Sequence, residues 1–279
     1  MKKLLYLIIL LFIVLIYYIN YHFVINDLPK NILNLLEYKY INKIDIKLDL
    51  LSLIINSYPK DKVINNKVLL NEYNPIIYIY NTHTNEKYSY QKNDLYNINH
   101  TVISASYILQ EELKKYGIDS IVEENNVTNY INDNNLLYSD SYKVSRKYLE
   151  NKKIEYPSLI YFIDIHRDSV KRDITTIKLN DITYARTMFL LGLENNNYLN
   201  NKKVMESLNN YLDSNYKGLS RGIYEKKGKG VNGIYNQDFN ENTMLIEVGG
   251  VDNTIDEVSN SIKVIAEMLN NYLNSTKID

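Results

Sequence analysis

Ser158–Ile165 reads SLIYFIDI and runs directly into His166-Arg167-Asp168. It is apolar except for Asp164 near its end and lacks the strict alternation of a strand wetted on one face. Such a run belongs to a strand covered on both sides, as in a parallel sheet. Pro75–Tyr80 (PIIYIY) and Thr243–Val248 (TMLIEV) are runs of the same kind, and Ile118–Val122 is a shorter one. Ile174–Leu179 and Tyr184–Leu191 read as two further strands around Asn180-Asp181. Helical spacing lies between them. Val102, Ala105, Leu109 and Leu113 share one face of Val102–Tyr116, which Gly117 stops, and Ser141–Leu149, Tyr198–Asn215 and Thr254–Leu273 follow. Strands alternating with helices predict an α/β fold with a central, mostly parallel twisted sheet and helices on both faces.

The composition suits that fold. The 279 residues are 45% hydrophobic and 23% charged, enough for one globular domain with additions. Net charge is -1, so there is no basic surplus to neutralise phosphates, and no nucleic-acid partner is expected. The 28 Tyr, beside no Trp, read as compositional drift rather than chemistry. Cys is absent, which rules out a disulfide framework and leaves His and carboxylates to hold any metal.

Lys2 and Lys3 precede an uncharged run, Leu4–Ile19, whose apolar character continues past Asn20 and His22 to Ile25. About 20 apolar residues cross a bilayer as a helix, so residues 1–25 are expected to be one transmembrane anchor. The two lysines place the N-terminus in the cytoplasm and the rest outside, at the cell membrane. A cleaved signal peptide would call for a small-residue cleavage site after the run, and none is present. His22, at the end of the run, reads as interfacial. Residues 26–73 read as a connecting region punctuated by Pro29 and Pro59, with short helices at 32–40 and 46–55. Residues 74–279, which hold the buried strands and the longer helices, are expected to form one domain, the catalytic one if the residues at its strand ends carry chemistry.

His83 and His166 each stand at or just past the end of a buried strand. In open α/β sheets the carboxyl ends of strands line the ligand crevice, so two imidazoles placed there can converge. Glu86 follows His83 by three residues, and H-x-x-E brings a carboxylate to the same turn. Two His and one Glu with a fourth position open form a catalytic zinc set, so Zn2+ is the expected cofactor. His100, before the helix at Val102, is the rival third ligand. Glu247 lies inside a buried strand, where an ionisable group is costly unless paired or used. It is the candidate general base and acid, and its alternative is a structural role on the amides of Gly249 and Gly250 or on Arg167. Arg167, Arg186 and Arg221 are candidate partners for a substrate carboxylate or for Glu247. Asp164 and Asp168 flank His166 and are candidates to fix an imidazole tautomer.

Four blocks in order, Pro75–Tyr88 (PIIYIYNTHTNEKY), Phe162–Ser169 (FIDIHRDS), Gly218–Ile223 (GLSRGI) and Asn236–Glu257 (NQDFNENTMLIEVGGVDNTIDE), resemble stage II sporulation protein P. The likeness covers roughly residues 74 to 273. It implies an N-acetylmuramoyl-L-alanine amidase-like fold and cleavage of peptidoglycan at the N-acetylmuramoyl-L-alanine amide and at peptide cross-links. It also implies a role in engulfment during sporulation. The implied partners are peptidoglycan, the membrane, the lytic transglycosylase stage II sporulation protein D and the membrane protein M of that stage. By motif, His83 and His166 would be metal ligands and Glu247 the catalytic carboxylate. The wider amidase superfamily places its ligand glutamate at the start of the next helix, where this chain reads Asn97-Ile98-Asn99-His100-Thr101-Val102 and offers none. An inactive wall-binding module and a septal scaffold are the competing readings.

Overall fold

The computed structural model describes residues 74–90 and 100–276. The expected anchor at 1–25 and the short helices at 32–40 and 46–55 lie outside them. Among the described residues, no helix is long and apolar enough to cross a membrane.

Six strands build the main sheet: β1 (Ile77–Tyr80), β2 (Ser120–Val122), β3 (Tyr161–Asp168), β6 (Thr187–Gly192), β7 (Ser220–Lys226) and β8 (Thr243–Gly250). Their spatial order is β2-β1-β3-β8-β6-β7. The first four run parallel, β7 is parallel to β6, and β6 meets β8 antiparallel. The sheet is therefore mostly parallel, in two blocks joined at β8/β6. The helices are α1 (Val102–Lys115), α2 (Val127–Asp133), α3 (Ser141–Glu155), the single turn α4 (Arg172–Thr175), α5 (Tyr198–Asn215) and α6 (Ile255–Thr276).

The period of two along each strand sorts side chains onto two faces. Ile77 and Ile79, Ile163 and Ile165, Met244, Ile246 and Val248 join α1, α5 and α6 in the larger core. Tyr78, Tyr80 and Phe162 pack with Leu149 of α3 on the other face. Both faces are thus covered by helices, which is why these strands read as apolar runs. Full burial of each such aliphatic side chain contributes about 1.5–3 kcal/mol. Asp164, His166 and Glu247 alternate with the first set, so they share the α3 face.

Two local features hold the frame. Gly117 takes a φ of +72° after α1, and its Cβ would meet nothing within 4 Å, so the need for glycine there is purely conformational. At the start of α6, Glu257 N–H donates to Thr254 Oγ1 at 3.3 Å and Thr254 N–H donates back to Glu257 Oε2 at 3.1 Å, a capping box. Glu257 also takes the Arg172 guanidinium and Asn253 Nδ2.

Tyr198–Asn215 has the expected helix bounds, and α3 runs on to Glu155 through an exposed, charged last turn. The expected strand Tyr184–Leu191 is two strands in two sheets. β4 (Thr176–Leu179) and β5 (Ile182–Ala185) form a separate hairpin closed by Asn180 and Asp181, both at positive φ, and β6 belongs to the main sheet. The break is at Arg186, whose N–H donates to Thr175 O and whose carbonyl accepts from Gly249 N–H. Its side chain donates to Gly218 O, Ile174 O and Ser220 O, so Arg186 is a backbone staple with no free role at the site.

Candidate active site

β1 leads to β2 through α1 on one face, and β2 leads back to β3, on the other side of β1, through α2 and α3. The direction of winding changes between β1 and β3, and the carboxyl ends of those strands open the crevice where α/β sheets take ligands. Asn81 fixes this end. Its Nδ2 donates to Ile165 O at 2.7 Å, and its Oδ1 accepts from Ser106 Oγ at 3.0 Å.

The turn that follows carries His83 and Glu86, closed by Glu86 N–H on His83 O at 3.1 Å. The ring centroids of His83 and His166 are 5.2 Å apart and edge to face. Glu86 Oε2 lies 3.4 Å from His166 Nδ1 and accepts from Arg167 N–H at 3.0 Å. On the other side of the ring, His166 Nε2 lies 3.0 Å from Asp164 Oδ1, an ion-pair distance without hydrogen-bond alignment. Asp164 is fully buried. It accepts from Thr82 N–H at 2.9 Å and from Thr82 Oγ1 at 2.5 Å. Thr82 Oγ1 is 2.9 Å from Ser145 Oγ, which accepts from Asn236 Nδ2 at 2.9 Å. A buried polar chain thus runs from His166 to the loop before β8. Asn236 and Tyr235 in that loop both hold positive φ, 57° and 55°.

Glu247 is the register partner of His166 across β3 and β8. Its Oε2 is buried with no partner among the described residues. Both structural alternatives for it are engaged elsewhere: Gly249 N–H goes to Arg186 O, Gly250 N–H to Asn253 Oδ1, and the Arg167 guanidinium to Lys87 O and Asp168 O. The glycines have steric reasons of their own. A Cβ on Gly250 would come 2.5 Å from Val170 O, and Gly249 has a φ of +70° with a Cβ position 2.8 Å from Ala185 Cβ.

The electrostatics separate the groups. Burial, followed by the repulsion of His166, pushes His83 down to about 4, so its imidazole is neutral at pH 7. Burial pulls His166 down too, but Asp164 and then Glu86 outweigh it and hold the ring well above the ordinary histidine value. Burial would raise Glu86, yet His166 and the Arg167 amide keep it below its ordinary value. Burial raises Glu247 to about 7, with His166 opposing and Glu86 and Asp168 adding to the rise.

Residues absent from the reading of the sequence complete the wall. Tyr138 stacks on His83 at 4.6 Å and 11°, Tyr142 meets it edge-on at 5.6 Å, and Tyr235 meets Tyr142 at 5.4 Å. His100 is turned away to Ser89 O at 3.2 Å and the Tyr90 ring at 5.0 Å. Asp168 takes Arg221 Nη2 at 2.7 Å. Among the described residues no three His, Asp or Glu are already drawn around one coordination point. The donors nonetheless suit a cation such as zinc. Two imidazoles and a carboxylate adjoin, and the buried His83 Nδ1 and Glu247 Oε2 have no protein partner.

The sequence profile of the family described as stage II sporulation protein P matches residues 42–270, reaching back into the stretch read above as a connecting region. Stage II sporulation protein P of Bacillus subtilis (strain 168) is 30% identical over 211 residues, which is 73% of this chain and 53% of that protein. The chain therefore spans about half the length of that curated relative. The solved N-acetylmuramoyl-L-alanine amidase AmiC2 of Nostoc punctiforme aligns with a TM-score of 0.39 at 12% identity, over 72% of this chain and 98% of that one.

Proposed function

The chain belongs to the stage II sporulation protein P family, and from that premise we propose that it is a zinc-dependent peptidoglycan hydrolase acting at the N-acetylmuramoyl-L-alanine amide during sporulation. The observation that carries the reading is Glu247, a half-buried glutamate whose Oε2 is buried without a partner among the described residues, raised to about 7 and paired in register with one of two converging histidines.

His83, His166 and Glu86 would hold the metal. Bound there, zinc would supply Lewis-acid activation of the scissile carbonyl and of water. The chain's own residues do the rest. Glu247 Oε2 takes the proton from the attacking water and returns it to the departing amide nitrogen. A carboxyl poised near pH 7 suits both transfers. Asp164, fixed by Thr82, holds the His166 ring in place. Tyr138 and Tyr142 set the plane of His83 and limit water on its flank. The apolar run Leu4–Ile19 supports a membrane anchor with this domain outside the cytoplasm. The family likeness supports partnership with stage II sporulation proteins D and M.

Glu247→Gln tests the assignment, since it keeps shape but accepts no proton. Release of stem peptides from purified wall should fall about 10²–10⁴-fold, with zinc content and wall binding retained. Wild-type turnover in that variant would give Glu247 a structural role. Wild-type protein that binds wall without cleaving it would make the chain a binding module.

A further inference from the structure

Three arginines come close to the site, and two are committed to backbone. Arg167 donates to Lys87 O and Asp168 O, and Arg186 donates to three carbonyls. Arg221 is placed differently. The register between β6 and β7 slips after Thr187↔Ser220, so that the next pair is Phe189↔Ile223. This bulge contains Arg221 and Gly222, the latter at a φ of +88° with open space where its Cβ would be. Bulges of this kind re-aim one side chain beside a site. Here the side chain crosses the end of the sheet from β7 to β3 and meets Asp168 with Nη2 at 2.7 Å. Among the described residues, Nη2 makes the one hydrogen bond of the guanidinium, and Nε is buried with no partner. The side chain is 11% exposed, so the group is largely desolvated and already oriented. Asp168 follows His166 by two residues on β3 and pairs with Gly250, three residues past Glu247 on β8, so the Arg221–Asp168 pair stands at the same end of the sheet as the site.

We infer that Arg221, held by Asp168, recognises a carboxylate of the substrate and makes the enzyme prefer peptides with a free carboxylate near the scissile amide over their carboxamide forms. The inference rests on the hydrolase reading of the site. A planar guanidinium fixed through one nitrogen still offers donors to a carboxylate, and such charge-assisted contacts are strong and directional. A carboxamide presents an N–H where an acceptor is wanted and carries no charge.

The test uses two soluble muropeptides identical except at the residue after L-alanine, whose carboxylate is free in one and amidated in the other. Hydrolysis and calorimetric binding are measured for the full chain, Arg221→Met and Arg221→Lys. The wild type should favour the free acid about 10- to 100-fold in both measurements. Arg221→Met should bring the ratio to about one, and Arg221→Lys, which keeps a charge for Asp168 without the planar fork, should leave it in between. If Arg221→Met fails to fold, the Lys variant and the wild-type ratio carry the test. An unchanged ratio in a folded variant, or a wild-type ratio of one, overturns the inference. Preferential binding of the acid without hydrolysis of either peptide upholds it and refutes the hydrolase reading. Equal cleavage of both does the reverse.

Discussion

His83 and Glu86 share one tight turn, and Glu86 reaches His166, whereas His100 faces Ser89 O and Tyr90. The expected outcome for Glu86→Gln is therefore a clear fall in zinc bound per chain, measured by atomic absorption, while His100→Ala retains it. Equal loss in both, or loss at His100 alone, would transfer the third ligand to His100. This part of the site was legible in the sequence because strand ends have a fixed address in an α/β sheet, and two imidazoles at neighbouring addresses meet. Tyr138, Tyr142 and Tyr235 were not legible. They are three of 28 tyrosines, and nothing in their spacing marks them as facing a histidine across a loop. Arg186 was legible only as a charge. That it would serve three carbonyls depends on the meeting of β5, β6 and β7 in space.

Among the elements, α6 shows most directly how a local signal becomes stability. Thr254-Ile255-Asp256-Glu257 is a capping box in sequence and in space, and Arg172 adds an ion pair to it. Thr254→Ala should cost about 1 kcal/mol and lower Tm by about 2–4 °C by calorimetry. Burial would raise the Glu257 carboxyl, but Arg172, Asn253 and the Thr254 amide hold it below its ordinary value. A depressed carboxylate contributes stability that is present above the unfolded value of about 4.3 and is lost as pH falls through the folded one. The Tm gap between wild type and Glu257→Gln should accordingly be constant above about pH 5 and close on acidification below that. A gap independent of pH would mean that the ion pair adds nothing. The buried strands and the longer helices were readable because burial on two faces and a 3.6-residue period each leave a pattern. β7 was not read as a strand. It is a half-exposed edge, SRGIYEK, interrupted by a bulge and a glycine, and has no apolar run to announce it. The division of Tyr184–Leu191 was equally invisible, since both halves favour strand and only the third dimension assigns them to different sheets.

For the whole molecule, the orientation proposed from Lys2 and Lys3 makes residues beyond about 26 accessible to protease added outside protoplasts, as read by loss of the full-length band. Protection of the catalytic domain would reverse the orientation. The strand order bears on how the molecule comes to be active. Ile77 pairs with Tyr161, and Phe162 pairs with Thr243, so neighbours in the middle of the sheet are far apart along the chain. Among the described residues β8 is the last strand in sequence, yet it lies between β3 and β6 and joins the two parallel blocks. Pairings of such long range are slow to form. A growing chain can join β1 to β3, but until residues 243–250 are made and inserted its sheet stays in two pieces and Glu247 is missing from the crevice. On the proposed chemistry, the domain is thus harmless until that strand is in place, and its ability to cut the wall arrives with the closing of the sheet.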